Sequence, residues 1–129
     1  MVYLIDTNVV IRFLTADHPE QFETAKKIFT DIEEGAVEAK LLPPVLMEAF
    51  FVLTKFYGLP RNEVLQDLRT LLSMPGIVND DKVTLSETLT RMAFKRIDFV
   101  DALLCAKRSV EGYGIFSFDD DVKKCDPVS

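Results

Sequence analysis

The sequence lacks the residues on which several common kinds of site depend. It has no tryptophan, one histidine, two cysteines and five glycines among 129 residues. Because His18 is the only histidine, a Ser-His-Asp or Cys-His catalytic arrangement is not expected. Cys105 and Cys125 are too few for a disulfide framework or a zinc site. The glycines form no phosphate-binding loop, so nucleotide binding by that route has no support.

Long apolar runs and basic leader segments are also missing. No apolar stretch reaches the length of a membrane span, so no contact with a membrane is expected. The chain enters an apolar run at once, without a basic segment before it, which predicts no secretory signal. The low cysteine content fits a reducing environment and predicts a cytoplasmic location. A net charge of −6 argues against a protein that coats nucleic acid in general. The length and the hydrophobic content of 48% predict a single globular domain over residues 1–129.

Short apolar runs alternate with helical patterns along the whole chain. The runs predict strands at 2–5, 37–42, 77–78 and 114–118, of which the first should be buried. The helical patterns, with their Pro and Gly boundaries, predict helices at 8–14, 19–34, 44–57, 60–73, 83–95 and 98–111. Such alternation predicts an α/β domain in which helices cover a parallel sheet.

Four acidic residues are placed so that they can meet at one edge of this sheet. Asp6 follows the first strand and Asp119 follows the last, and ligands bind at the carboxyl ends of the strands in open α/β sheets. Glu48 and Asp101 lie near the starts of helices, which should reach the same edge. Clustered carboxylates repel one another, so a hard divalent cation is the expected counter-charge.

Each acid also has an ordinary structural interpretation. Asp6 begins Asp6-Thr7-Asn8, a sequence that equally suits a helix N-cap. Glu48 is the only polar residue between positions 45 and 53, which predicts a buried carboxylate, although a narrow solvent-facing stripe shared with Lys55 is the alternative.

The later acids divide in the same way. Asp98 and Asp101 suit the cap and the third position of a helix, and both roles can coexist with metal binding. We predict that Asp101 is the ligand and Asp98 mainly the cap. Asp119 opens a run of three aspartates that by default would be a surface turn. Ser117 could hydrogen-bond a ligand.

Several basic residues could meet a phosphate group. Taken singly, each is expected to be a solvated surface charge. They are Arg12, Arg91, Lys95, Arg96, Lys107 and Arg108.

The acidic segments resemble those of PIN-domain proteins, in particular the VapC-type toxins of prokaryotic toxin–antitoxin pairs. The resemblance covers almost the whole chain, in order. It rests on Ile5-Asp6-Thr7-Asn8-Val9-Val10-Ile11-Arg12-Phe13-Leu14, on Pro44-Val45-Leu46-Met47-Glu48 through Leu53, on Asp98-Phe99-Val100-Asp101-Ala102-Leu103-Leu104, and on Phe116-Ser117-Phe118-Asp119, where Ser117 replaces the family's Thr.

The resemblance implies a three-layer α/β/α PIN-like domain with a central parallel sheet. It also implies an endoribonuclease that uses Mg²⁺ or Mn²⁺ at Asp6, Glu48, Asp101 and Asp119. The expected partners are an RNA substrate, a second copy of the chain in a homodimer, and a small cognate antitoxin whose segment fills the acidic groove.

Two other functions remain open on the sequence. A haloacid-dehalogenase-like phosphatase also ends a strand in Asp-x-Asp, but Asn8 stands where its acid/base residue would be. A non-catalytic PIN-like interaction module would keep the fold and bind only a partner. An assay with a small phosphoester tests the first, and a metal titration tests the second.

Overall fold

The computed structural model describes residues 1–118 and residue 125. The chain divides into two compact units, Met1–Asp80 and Asp81–Ser129. The first unit contains strands β1 (Val2–Leu4) and β2 (Glu38–Lys40) and helices α1 (Thr7–Thr15), α2 (Pro19–Glu33), α3 (Pro43–Lys55) and α4 (Arg61–Leu72). The second contains helices α5 (Lys82–Phe94) and α6 (Phe99–Glu111).

The two strands form a small parallel sheet. Tyr3 pairs with Ala39, and the Ile5 N–H donates to the Lys40 carbonyl at 3.2 Å. Two parallel neighbours need a crossover connection, and α1 and α2 supply it. The fold is therefore α/β with parallel pairing, as the alternating pattern predicts.

The strand predicted at 77–78 is present only as an isolated bridge. Ile77 pairs with Ala39, and the Val78 N–H donates to the Ala39 carbonyl at 2.9 Å. Beyond this point the buried side chain of Asn79 continues the pairing: its Oδ1 accepts from the Leu41 N–H at 2.9 Å and its Nδ2 donates to the Leu41 carbonyl at 2.7 Å. A side-chain amide thus takes the place of one further backbone pair.

The prediction that the first strand is buried is wrong. Val2, Tyr3 and Leu4 are 45%, 54% and 67% exposed, and only Ile5 beyond them is buried. An apolar run shows that a strand is able to be buried on both faces. Actual burial also requires other elements of the fold to cover those faces. Among the described residues, β1 pairs with β2 alone.

The helices of the first unit each bury one stripe. In α3 the buried residues are Leu46, Ala49 and Leu53, a spacing of three and four that places them on one helix face. Phe29 and Ile32 do the same for α2. No helix within the described ranges is long and apolar enough to cross a membrane.

In the second unit, α5 packs against α6 and a disulfide joins α6 to a more distant residue. Leu89 and Met92 of α5 are buried, as are Ala102 and Cys105 of α6. Cys105 is bonded to Cys125, which lies 20 residues further along the chain. The cysteine count excluded a framework of several bridges but did not predict this single pair. A 20-residue loop closed in this way stabilises a fold by about 3 kcal/mol.

The strand predicted at 114–118 is not observed. Residues 112–117 have no regular secondary structure, Phe118 lies in a bend, and Phe116 and Phe118 are fully exposed. A strand exists through hydrogen bonds to a neighbouring strand, and an apolar run cannot specify that neighbour. The prediction that Asp119 follows a strand therefore loses its basis, and Asp119 itself lies outside the described residues.

Candidate active site

Asp6 lies two residues beyond β1 and caps α1. Its Oδ1 accepts a hydrogen bond from the Thr7 backbone N–H at 2.9 Å. Thr7 is buried, whereas Asp6 and Asn8 are exposed. Among the described residues the Asp6 side chain makes no second hydrogen bond, so Oδ2 is available to a ligand. A capping role and a ligand role can therefore coexist in this carboxylate.

Glu48 is exposed, and the prediction that it is buried is wrong. It lies in the second turn of α3, beside the exposed Met47 and one turn from the exposed Phe51. The apolar composition of α3 therefore does not mean that the helix is buried on all sides. Its exposed face carries the apolar side chains Met47 and Phe51 as well as Glu48. An exposed carboxylate can bind a cation without the desolvation that a buried one would require.

In the first unit, the helices that carry Asp6 and Glu48 pack against each other. Helix α1, which Asp6 caps, packs against α3, which carries Glu48. Neither carboxylate forms an ion pair with any residue in the described part of the chain.

Asp98 and Asp101 form the predicted cap at the start of α6. Asp98 Oδ1 accepts a hydrogen bond from the Asp101 backbone N–H at 3.0 Å. Asp98 is exposed and Asp101 is half-buried in the first helical turn. The first turn of a helix favours a negative charge nearby, because its N–H groups carry partial positive charge and have no partner within the helix. Asp101 thus contributes its backbone N–H to the cap.

This geometry separates the stability effects of the two aspartates. Asp98→Ala should lower the free energy of unfolding by about 1 kcal/mol, because the cap acceptor is lost. Asp101→Asn should cost less, or even stabilise, because it removes like-charge repulsion in the metal-free protein. Urea denaturation in EDTA measures both. If Asp101→Asn is the more destabilising change, Asp101 is primarily a structural residue.

Asp101 belongs to the second unit, as does Ser117, which is exposed and irregular in backbone. Asp119 is not described. Within residues 1–118 and 125, no group of three or more His, Cys, Asp or Glu side chains is arranged to hold a metal ion. The meeting of all four acids is accordingly a proposal, argued below.

The donor chemistry of the four acids fits Mg²⁺ or Mn²⁺. All are carboxylates, which hard divalent cations prefer, and no histidine or thiolate competes for a softer metal. Cys105 and Cys125 are bonded to each other, which removes both thiols. The residues that could hold the ion are Asp6, Glu48, Asp101 and Asp119.

Two arginine side chains have partners that the sequence did not reveal. Arg12, predicted to be a solvated surface charge, is half-buried and has partners: its Nε donates to Gln21 Oε1 at 2.8 Å and its Nη1 to the Tyr57 hydroxyl at 3.2 Å. Tyr57 in turn donates to Asp17 Oδ2 at 2.7 Å. Arg91, also predicted to be solvated, is buried, and its guanidinium lies 3.0 Å from Glu87.

His18 caps α2. Its Nδ1 accepts from the Gln21 N–H at 3.2 Å, so the only histidine is a structural acceptor. The composition shows that there is one histidine, but its capping role depends on the turn between α1 and α2. Catalysis by this side chain is not indicated.

A family model of the PIN domain matches residues 3–126. The chain belongs to the PIN domain family, and the resemblance seen in the sequence is confirmed at that level. PIN domains are generally metal-dependent nucleases that act on RNA or other nucleic acid. No curated protein and no solved structure matches the chain significantly.

Proposed function

We propose that this protein is a Mg²⁺- or Mn²⁺-dependent endoribonuclease and the toxin of a type II toxin–antitoxin pair. The observation that carries the proposal is an exposed carboxylate, Asp6, at the cap of α1 in a chain of the PIN family. Glu48 on the adjoining helix and Asp101 in the first turn of α6 supply two more. Family membership favours a nuclease over the haloacid-dehalogenase-like alternative.

In the proposed mechanism the protein groups position the ion and the substrate. Asp6, Glu48, Asp101 and Asp119 are assigned as direct or water-mediated ligands. When bound, the ion would lower the pKa of a water molecule and neutralise charge on the phosphodiester. The Thr7 N–H fixes the orientation of Asp6, and Asp98 fixes the first turn of α6 that carries Asp101. No histidine base is assigned, since His18 caps α2.

Metal binding is testable without an RNA substrate. Millimolar Mn²⁺ should raise the melting temperature, because a ligand that binds only the folded state stabilises it by mass action. Asp6→Asn should reduce the increase, whereas Glu63→Gln, an exposed acid in the first turn of α4, should leave it unchanged. An unshifted melting temperature in the unmodified protein would contradict the metal site.

The nuclease activity is tested by sequencing cleavage ends from a defined RNA pool with and without Mg²⁺. Cleavage that requires the metal and stops in EDTA supports the proposal. Cleavage of a small phosphoester instead would favour the phosphatase. Metal binding without any cleavage would leave the non-catalytic module.

The partner proposal is supported by apolar side chains exposed on α3. Met47 and Phe51, four positions apart on one face of α3, are 41% and 54% exposed, and such side chains can contribute to an interaction site when they belong to a larger apolar patch. Phe22, Ile28 and Phe50 are half-buried, and Phe29 is wholly buried, so Phe29 does not belong to the surface. The proposed occupants are a second copy of the chain and a small antitoxin.

Purification from the native host in the cytoplasmic fraction should recover a dimer with a small protein. The partner is expected to carry a basic tail whose Arg or Lys replaces metal charge, so Mn²⁺ and the partner should compete. Native mass spectrometry measures the composition. A folded monomer with no small partner would remove the toxin role and leave only the nuclease.

A further inference from the structure

Helices α1 and α2 line an open, solvent-facing pocket of about 330 Å³, and its first lining residue, Asn8, lies two residues from Asp6 in the sequence. Its walls include Asn8 and Arg12 from α1 and Gln21, Thr24, Ala25 and Ile28 from α2. These positions recur at intervals of three or four, so each helix presents one continuous face to the pocket. A volume of this size lies at the lower end of ligand pockets, roughly 300–1,000 Å³.

The pocket is held open by the packing around it. The Phe13 ring of α1 lies 4.7 Å from the Phe29 ring and 6.3 Å from the Phe22 ring of α2, which fixes the spacing of the two helices. Along the same interface Thr24 and Ala25 are small and do not fill the gap that the aromatic rings set. The open pocket is therefore a feature of the packing of α1 against α2.

Arg12 is fixed at one wall. Its Nε donates to Gln21 and its Nη1 to Tyr57, and Asp17 Oδ1 lies 3.5 Å from Nη1. Within the described residues its Nη2 makes no hydrogen bond, so that group can serve a ligand. A guanidinium held by three neighbours keeps one orientation, which is what stacking or edge recognition of a planar group requires.

The charge of the pocket favours a neutral occupant over a free anion. The Tyr57 hydroxyl, the Thr15 hydroxyl and the Arg12 guanidinium lower the pKa of Asp17, so its negative charge persists beside Arg12. The cation is thus already balanced. The remaining polar groups are the amides of Asn8 and Gln21, which offer both donors and acceptors, and the Thr24 hydroxyl, which donates to the Glu20 carbonyl. The apolar wall is Val9, Ala25 and Ile28.

We propose that this pocket is a nucleobase subsite of the proposed ribonuclease. It takes one unstacked base of a single-stranded RNA, with Asn8 and Gln21 at the base edge and Arg12 against its plane or edge. Single-stranded RNA is recognised in this way, by splayed bases that stack on planar side chains and hydrogen-bond along their edges. Because Asn8 is two residues from Asp6, the base belongs to a nucleotide adjoining the phosphodiester under attack. The inference rests on the proposed function.

The test is a titration of the full chain with adenosine, guanosine, cytidine, uridine and inorganic phosphate in EDTA, followed by two-dimensional NMR. At least one nucleoside should shift the backbone amides of Gln21, Thr24 and Ala25, and phosphate should not. Thr24→Trp, at an exposed position of the wall, should fill the pocket. Thr24→Trp and Arg12→Ala should each weaken the binding of that nucleoside roughly tenfold or more, as expected when stacking with one base is lost.

Arg69→Ala is the matched control, because Arg69 also donates to a glutamine, Gln66, but on α4. It should leave nucleoside affinity unchanged. In the RNA pool, Thr24→Trp should change which bonds are cut, while Arg69→Ala should not.

Several results would overturn the subsite. The first is that nucleosides shift amides outside the pocket, and the second is that phosphate shifts the same amides equally. The third is that Thr24→Trp leaves nucleoside affinity unchanged. The fourth is that Thr24→Trp affects only binding of the small protein partner. The titration needs neither metal nor cleavage, so its failure leaves the nuclease standing. Nucleoside binding in a protein that cleaves no RNA would remove the nuclease alone.

Discussion

Asp6→Asn is expected to abolish metal-dependent RNA cleavage while leaving the fold intact. Asn is as good a helix N-cap as Asp, so the hydrogen bond from the Thr7 N–H is kept. What is lost is a formal negative charge at the proposed ion. Removing one such electrostatic contribution to a transition state lowers the rate roughly 100-fold or more. Single-turnover cleavage of a defined RNA in Mg²⁺ measures the effect.

Asp101→Asn is a second test of the same site, made in the other unit of the chain. It keeps the cap hydrogen bond, because that bond is donated by the Asp101 backbone N–H. It should lose activity to a similar extent. Glu63→Gln removes an exposed acid from α4 and should cut RNA at the normal rate. Full activity of either Asp variant, with urea stability unchanged, would remove that residue from the site.

Gly76→Ala is expected to be the most destabilising Gly→Ala substitution in the first unit. A Cβ at this position would lie 2.3 Å from the Val37 carbonyl oxygen and 2.6 Å from that of Ile32. Both atoms are backbone, and the Gly76 N–H already donates to the Ile32 carbonyl at 2.8 Å. Neither neighbour can turn away as a side chain would. Overpacking of this kind costs about 3 kcal/mol or more.

Gly114→Ala is the matched control, because a Cβ there would meet nothing within 4 Å and the backbone φ is not in the left-handed region. It should change the free energy of unfolding by less than about 0.5 kcal/mol. Urea denaturation measures both variants. If Gly76→Ala is as stable as Gly114→Ala, the close approach of the Ile32 and Val37 backbone to Gly76 is not rigid.

The helices and their ends follow closely from local sequence. Pro19 begins α2 because proline is preset for the first helical turn, and Gly112 ends α6 with a left-handed backbone at φ 80°. Asp98 caps α6 as its spacing from Asp101 predicts. These features depend on residues within one or two turns, which is the range over which a sequence pattern is informative.

The sequence also brought out the acids themselves. The placement of Asp6 after the first apolar run, and the four motifs in order, were sufficient to indicate the PIN family, which the family match confirms. The roles of Asp6, Glu48, Asp101 and Asp119, with Thr7, Asn8, Asp98 and Ser117 in support, stay predictions.

Only the tertiary structure decided which faces are covered. Apolar runs predicted burial for residues 2–5 and for Glu48, yet β1 and Glu48 are exposed, and the run at 114–118 is not a strand. Strand pairing, the Cys105–Cys125 bond and the pocket beside Arg12 each join residues that are distant in the chain. Local sequence sets what a segment can bury or pair with. Which neighbour it meets is set by the packing of the whole unit, and no local pattern records that choice.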